Sequence, residues 1–235
     1  MNTNSNSYTV IYASIMVVIV AFLLAFVSSS LKGIQDKNVE LDKKKQILAA
    51  LNIRNVEDVE AEYNKVVKAD MVINANADTL KLGENKDQDG FKVENKDLSP
   101  ENLPLYVCEV NGEVKYVVPM LGRGLWGGLW GYMAVNDDCK TIFGAYFSHE
   151  SETAGLGSPI AEQPFQERFQ NKQIFAEGDS THTQVALTIV KKGQVKSEST
   201  DVDGLTGATL TTKGAAAMVT DGLQQYINFF NANAK

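Results

Sequence analysis

The run of residues from Tyr8 to Val27 constrains the fold of this chain more than any other segment, because its twenty residues include no charged side chain. As an α-helix the run would be about 30 Å long, which is the hydrocarbon thickness of a membrane. A cleaved signal peptide is the alternative, and Ser28-Ser29-Ser30 offers small residues near a cleavage point. However, no Lys or Arg precedes the run, and the run exceeds the usual apolar length of a signal peptide. The sequence therefore predicts one uncleaved transmembrane helix.

Composition divides the 235 residues around this helix. We predict an N-terminal tail at residues 1–7, the transmembrane helix at residues 8–27, a membrane-proximal lead-in at residues 28–104 and a folded domain at residues 105–235. The chain has 22 Lys and Arg against 29 Asp and Glu, which gives a formal net charge of −7. Because no basic stripe is available to neutralise phosphates, this charge argues against a nucleic-acid partner.

The lead-in contains two stretches with apolar residues at helical spacing. They predict helices at residues 36–52 and 56–67, close to the membrane surface. We interpret the Lys43-Lys44-Lys45 run as a solvated helix face, with contact to lipid headgroups as the alternative. The segment at residues 71–104 is polar and ends near two prolines, so it predicts irregular structure with one short strand.

The cysteines and histidines do not form a metal-ligand pattern. Cys108 and Cys139 are the two cysteines, and neither His149 nor His182 stands at metal-ligand spacing from them. We therefore predict no metal site within this domain. A disulfide between the cysteines stays open, and so does a metal centre shared with another subunit.

The folded domain alternates between short strands and turns. Residues 105–110 and 114–119 predict a β-hairpin around Asn111-Gly112-Glu113. Further strands are predicted at residues 130–135 and 141–147, a last pair at residues 184–190 and 194–197 around Lys192-Gly193, and a helix at residues 159–171. Since strands follow one another and helices flank them, we predict an α+β fold with a mainly antiparallel sheet.

A seven-residue string stands directly before a predicted C-terminal helix: Asp203-Gly204-Leu205-Thr206-Gly207-Ala208-Thr209. The apolar face of that helix is formed by Ala215, Val219, Leu223, Ile227 and Phe230. The string places hydroxyl groups, glycines and unpaired backbone N–H groups at a helix N-terminus, which suits a phosphate. On spacing alone, Thr206 and Thr209 also fit ordinary helix caps, so both interpretations stay open.

Two glycine-rich segments interrupt the predicted sheet. Leu121–Gly131 contains Trp126 and Trp130, and Glu152–Gly157 runs from polar to apolar. Neither has the G-x-G-x-x-G spacing of a dinucleotide-binding turn. Taken alone, they fit tight turns with the tryptophans in the core.

Together, the string and the loops resemble the FMN-binding C-subunit family of the sodium-translocating NADH:quinone oxidoreductases. The string is similar to the Asp-x-x-(Ser/Thr)-Gly-Ala-Thr signature of proteins that carry FMN on a threonine through a phosphoester bond. The resemblance implies that Thr209 is the acceptor, and that a flavin transferase joins the FMN part of FAD to it and releases AMP. The resulting phosphodiester would suit the helix N-terminus, and Gly207 and Ala208 leave little bulk beside it.

The same resemblance assigns roles to the loops, which look like the Gly-Leu-Trp-Gly and Glu-Thr-x-Gly-Leu-Gly loops of this family. It implies that Glu152 and Thr153 form the polar edge of the flavin site and that Leu156 contacts the ring, because a flavin needs an apolar wall with a few polar groups. Trp126 is either wall or scaffold. The remaining candidates for cofactor binding are Asp203, Thr206, Gly155 and Gly157.

Membership of this family would make the chain an electron carrier within a larger enzyme. Electrons from NADH would arrive through FAD and an iron–sulfur centre on other subunits, pass over this FMN to a second covalent FMN and reach quinone while sodium crosses the membrane. Nothing in the chain resembles a nicotinamide site. The alternatives are the G subunit of the related Rnf complex, a membrane-anchored ligand-binding or adaptor module without flavin, and a protein with a purely structural role in the assembly.

The charges beside the span disagree with the topology that the resemblance implies. Lys32, Lys37 and the Lys43–Lys45 run follow the span, and the positive-inside rule would leave that side in the cytoplasm. The family instead places a single-pass protein in the bacterial inner membrane with its flavin domain facing the periplasm. We follow the family, because acidic residues interleave with the lysines and long domains translocate despite flanking charge.

Overall fold

A computed structural model describes residues 5–84 and 86–234 of the chain. The first four residues of the predicted tail, Asn85 and Lys235 lie outside the described residues. The chain separates into two compact units, of which the first ends at Lys43 and the second begins at Lys44. All functional candidates of the sequence lie in the second unit.

Helix α1 extends from Asn6 to Ala50 as one element of 45 residues. It is long and apolar enough to cross a membrane, and the side chains of its apolar window are not buried within the chain. The prediction of a separate helix at residues 36–52 was wrong, since no proline or turn separates it from the span. The helix ends where Asn52 adopts a left-handed conformation (φ 61°) and Ile53 N–H donates to Leu48 C=O at 2.9 Å. This is the geometry of a Schellman cap.

The second unit is built on a six-stranded antiparallel sheet with the strand order β2-β1-β3-β4-β5-β6. Its strands are β1 (Val67–Ile73), β2 (Thr79–Lys81), β3 (Leu103–Val110), β4 (Glu113–Arg123), β5 (Gly128–Asn136) and β6 (Ile142–His149). The other elements are helices α2 (Val59–Val66), α3 (Gln163–Gln166), α4 (Thr209–Gln224) and α5 (Ile227–Asn233), short 3₁₀ turns, and the strands β7 (Thr188–Val190) and β8 (Asp201–Asp203). The predicted α+β class with an antiparallel sheet and flanking helices is confirmed.

The predicted hairpin joins β3 to β4. Asn111 and Gly112 both have positive φ, at 54° and 82°, and Val110 pairs with Glu113. Two residues of this kind between antiparallel strands form a type I′ turn, which matches the twist of the sheet. The sheet begins earlier than the predicted segment 105–235, because β1 pairs with β3 along its length.

Both faces of the sheet are covered. Leu105 and Val118 belong to the main core, where helix α4 packs across β4. The neighbouring Tyr106 and Val117 are equally buried on the opposite face, because successive strand residues point to opposite sides. On that face, the last turns of α1 contact the sheet, and Trp130 Nε1 donates to Gln46 Oε1 at 3.2 Å.

Two predicted elements differ from the structure. The helix expected at residues 159–171 is divided into two 3₁₀ turns around the four-residue α3, because Pro159 and Pro164 interrupt the backbone hydrogen bonds. The strand expected at residues 194–197 is absent, and β7 instead pairs in parallel with β8. The N–H groups of Lys196 and Ser197 donate to the Asp201 carboxylate, so they do not enter a ladder.

Candidate functional site

A cleft of about 370 Å³ opens where three segments meet: the connection between β4 and β5, the loop after β6, and the N-terminus of α4. Its lining residues are Leu125, Trp126, Glu152, Thr153, Leu156, Gly157, Gly207, Ala208, Thr209, Leu210 and Thr211. All three segments were singled out from the sequence. The fold brings them together although the loop and the helix lie more than fifty residues apart in the chain.

Thr209 is the first residue of α4, and its side chain is exposed. The residue at the N-cap position is Ala208, and no side chain caps this helix end. In the part of the chain that the structure describes, neither the Thr206 nor the Thr209 hydroxyl makes a hydrogen bond. The alternative that these threonines are ordinary caps was therefore wrong for the described conformation. The first-turn N–H groups of the helix stay available to an anion.

The turn before α4 depends on small residues. Gly207 has a φ of +74°, a conformation that favours glycine, and a Cβ there would meet Leu156 Cδ2 at 3.2 Å. A Cβ on Gly204 would press on the carbonyl oxygen of Val190. Leu205 N–H donates to Thr212 Oγ1 at 3.4 Å, which holds the turn against the helix. Backbone and hydroxyl of Thr209 are therefore reachable from the cleft.

Asp203 ends β8 and does not line the cleft. Its carboxylate accepts hydrogen bonds from Lys192 Nζ at 2.5 Å and from Gly193 N–H at 2.6 Å. The bond from Lys192 is the main cause that lowers the pKa of Asp203, and it outweighs the opposing effect of burial. The Asp203 carbonyl oxygen accepts from Arg168 Nη1 at 2.8 Å. The residue thus fixes the strand from which the Thr209 turn starts.

Glu152 lies on the floor of the cleft with 7% of its surface exposed. Its Oε1 accepts from Trp126 N–H at 2.9 Å, and its Oε2 accepts from Thr211 Oγ1 at 2.5 Å. Burial alone would raise the pKa of Glu152. The hydrogen bonds from Thr211, Trp126 and Leu125 N–H, helped by the charge of His149, outweigh burial and lower that pKa. The carboxylate is therefore ionised and bonded within the protein.

The loop after β6 is organised by the Thr153 backbone. The Thr153 carbonyl oxygen accepts from the N–H groups of Leu156, Gly157 and Ser158, each at 3.1 Å. Gly155 takes a φ of +74° at the outer bend, with no neighbour near its Cβ position. This turn leaves the Thr153 and Leu156 side chains exposed at the cleft.

Four apolar side chains form an exposed rim around the cleft, which we call the apolar rim. It consists of Leu125, Trp126, Leu156 and Leu210, with exposed fractions between 46% and 66%. Trp130, by contrast, is half-buried and bonded to Gln46. Trp126 is thus placed as cleft wall and Trp130 as scaffold.

The structure gathers eight of the eleven predicted site residues around the cleft and leaves Asp203, Thr206 and Gly155 outside its lining. Sequence reasoning missed Leu125, Leu210 and Thr211 as cleft residues. The available signal was position, because Leu125 adjoins Trp126 and the other two follow Thr209 on the first helical turn.

The residues present fit FMN. The α4 N-terminus offers donors for a phosphate, the Thr209 hydroxyl is exposed beside it, and the apolar rim offers a surface for the isoalloxazine ring. Cys108 and Cys139 are both buried and are not joined in a disulfide. Among residues 5–84 and 86–234, no three Cys, His, Asp or Glu side chains are grouped to hold a metal ion.

Comparisons with known proteins agree with this site. Residues 124–224, which contain the cleft, match the FMN-binding domain family. A Haemophilus ducreyi protein, named as the C subunit of the Na(+)-translocating NADH-quinone reductase, is 31% identical over 99% of this chain and 97% of that protein. The crystal structure of the equally named protein from Parabacteroides distasonis is 34% identical with a TM-score of 0.77, over 85% of this chain and 96% of that one. The Shewanella oneidensis NqrC structure, at 22% identity and a TM-score of 0.65, shares the fold over 83% of this chain and 98% of its own.

Proposed function

Because this chain belongs to the C-subunit family of Na(+)-translocating NADH-quinone reductases, we propose that it carries FMN as a phosphoester on Thr209. The chain is a membrane-anchored, FMN-binding electron-transfer subunit of this multi-subunit oxidoreductase. The observation that carries the covalent assignment is the exposed, unbonded hydroxyl of Thr209 at the uncapped N-terminus of α4, on the wall of the cleft.

The linkage forms by transfer of FMN from FAD, catalysed by a flavin transferase. The Thr209 oxygen forms a bond to the phosphorus of the FMN half, the bond from that phosphorus to the bridging oxygen breaks, and AMP leaves with that oxygen. The hydroxyl proton is lost to the transferase or to solvent. The product keeps one negative charge, which the first-turn N–H groups of α4 stabilise. Gly207 and Ala208 give the transferase access to the acceptor.

The cleft residues bind and orient the bound group, which supplies the electron-transfer chemistry. In our proposal the apolar rim covers the ring faces and excludes water, and Thr153 stands at the polar edge. Glu152 and Asp203 support the walls of the cleft through their internal hydrogen bonds. The chain passes electrons between carriers on other subunits, from the NADH side towards quinone.

The anchor is helix α1, and we place the flavin domain on the periplasmic side of the bacterial inner membrane. Asp36, Glu40 and Asp42 interleave with the lysines that follow the span, so the segment has no strong positive bias. The comparisons favour the C subunit of the NADH-quinone reductase over the G subunit of the Rnf complex. The FMN-binding domain match favours a flavin carrier over an adaptor without flavin.

The test is the intact mass of the full chain after coexpression with a flavin transferase, for the wild type and for Thr209→Val. We expect the wild type to gain the mass of one FMN less water, mapped to the Thr209 peptide, and Thr209→Val to gain nothing. Thr220→Val is the matched control, because Thr220 lies on the same helix and donates to Leu187 C=O away from the cleft. A fully loaded Thr209→Val chain would show that Thr209 is not the acceptor.

A further inference from the structure

Glu152 joins the two walls of the cleft through a single carboxylate. Oε1 holds the Trp126 N–H of the β4–β5 connection, and Oε2 holds the Thr211 hydroxyl two residues beyond Thr209. Since Thr211 is on the first turn of α4, this bond fixes the helix end that bears Thr209. The position of the acceptor relative to Trp126 therefore depends on one side chain.

The surroundings of this carboxylate leave space for it and for little else. A Cβ on Gly157 would lie 2.5 Å from Glu152 Oε2 and 2.6 Å from Thr211 Oγ1. A Cβ on Gly124 would collide with Glu152 Oε1 from the opposite side. The Glu152 N–H donates to His149 Nδ1 at 3.2 Å, which fixes the backbone. Glycines on both flanks thus form a cradle for a fixed anion.

The sequence resemblance gave Glu152 a different task, that of a polar contact at the edge of the flavin ring. Each carboxylate oxygen already accepts a hydrogen bond from the protein, and the residue is nearly buried on the cleft floor. A carboxylate bonded in this way has little freedom to reorient toward a ligand. Its negative charge nevertheless faces the same cleft that Thr209 lines.

We propose that Glu152 is a positioning residue that holds Trp126 and Thr209 at a fixed separation and whose charge makes the bound FMN harder to reduce. The proposal rests on FMN being carried at Thr209. Reduction adds one electron, and thus negative charge, to the ring, and a fixed anion in the same water-poor cleft opposes that charge.

The experiment compares Glu152→Gln with Glu150→Gln in the full chain, each with and without a flavin transferase. Glu150 is the matched control, because it is an exposed carboxylate of the same loop that accepts from Gly128 N–H at 3.1 Å and does not line the cleft. Three quantities are measured: the exchange rate of the Trp126 amide in the unloaded chain, the loaded fraction by mass, and the reduction potential of the loaded chain.

For Glu152→Gln we expect the Trp126 amide to exchange about tenfold faster, because a neutral acceptor replaces a charged one. We also expect a more positive reduction potential. Glu152→Asp keeps the charge but shortens the reach, so it should exchange faster while its potential stays nearer the wild type. Glu150→Gln should match the wild type in all three measurements.

Wild-type amide exchange and wild-type potential in Glu152→Gln would overturn the proposal. A folded Glu152→Gln chain that exchanges faster and loads poorly, beside a normally loaded control, would support the positioning role. If the wild type itself gained no FMN, the proposed function would fail. The amide exchange of the unloaded chains would then still decide the positioning role separately.

Discussion

Lys44 is 5% exposed, although it lies in the middle of three consecutive lysines. Its ammonium group is 2.7 Å from Asp87 Oδ2 and lies over the rings of Tyr63 and Phe91, at 5.1 and 5.7 Å from their centroids. Helical spacing explains the burial, since Lys44 shares its face with Ile47 and Leu48, three and four residues on. The prediction of a solvated lysine face was wrong for this residue and correct for Lys45, which is exposed.

At this residue we predict that Lys44→Met lowers the free energy of unfolding by about 2 kcal/mol, because it leaves Asp87 without its buried partner. The measurement is denaturant unfolding of the full chain in detergent. Lys45→Met is the matched control and should change stability by less than about 0.5 kcal/mol. Equal stabilities of the two variants would show that the Lys44–Asp87 pair contributes nothing.

The identity of the site residues was more predictable than the contacts they make. Glu152 and Thr209 were identified from short motifs. The partner of Glu152, however, is Thr211, which lies 59 residues further along the chain. A motif carries no information on such a contact, because only the tertiary fold decides which helix end faces the loop. The exposed rim position of Leu210 was missed for the same reason.

Among the elements, the parallel pair of β7 and β8 determines where the Thr209 turn begins. Asp203 at the end of β8 bonds to Lys192 and Gly193 just beyond β7, and thereby ties the two strands together. Lys192-Gly193 has the local chemistry of a hairpin turn, which is why sequence reasoning predicted an antiparallel pair there. A parallel pairing is set by contacts distant in sequence, and periodicity does not reveal them.

At this element we predict that Asp203→Asn destabilises the chain by about 1 kcal/mol at pH 7. The pKa of Asp203 is lowered in the folded state, so its contribution is present above its unfolded pKa near 4 and is lost as the pH falls through the folded value. The difference between variant and wild type should therefore shrink at pH 3. Thermal unfolding at both pH values checks this, with the exposed Asp221→Asn as control. A difference that does not depend on pH would contradict the role of the ionised carboxylate.

Strands with strong local signals were predicted, and those with mixed signals were not. The β3–β4 hairpin has an Asn-Gly turn between apolar runs, and β5 and β6 are rich in apolar residues. Strand β1 contains Lys68 and the fully buried Asp70, which disturb its alternation. Asp70 is accommodated because its Oδ2 accepts from the N–H groups of Asp89 and Phe91, at 3.1 and 2.8 Å. Its pKa is raised by burial, against these bonds.

At the scale of the whole molecule, the anchor and the domain set a topology that labelling can test. We predict that Glu198→Cys reacts with a membrane-impermeant maleimide in spheroplasts, because residue 198 is exposed and in our proposal lies on the periplasmic side. Ser7→Cys, before the span, should react only after lysis. Both native cysteines are fully buried, so the wild type provides an unlabelled background. Labelling of Glu198→Cys only after lysis would place the domain in the cytoplasm and exclude a periplasmic transferase.

The apolar rim has a consequence for how the protein matures in the cell. Before loading, Leu125, Trp126, Leu156 and Leu210 present their hydrocarbon surface to water. Such a patch invites association with other unfinished chains and attracts proteases and chaperones. Attachment of the cofactor hides this surface, so loading also ends a vulnerable period in the life of the chain. Chains that wait longest for their flavin should accordingly be the first to be degraded.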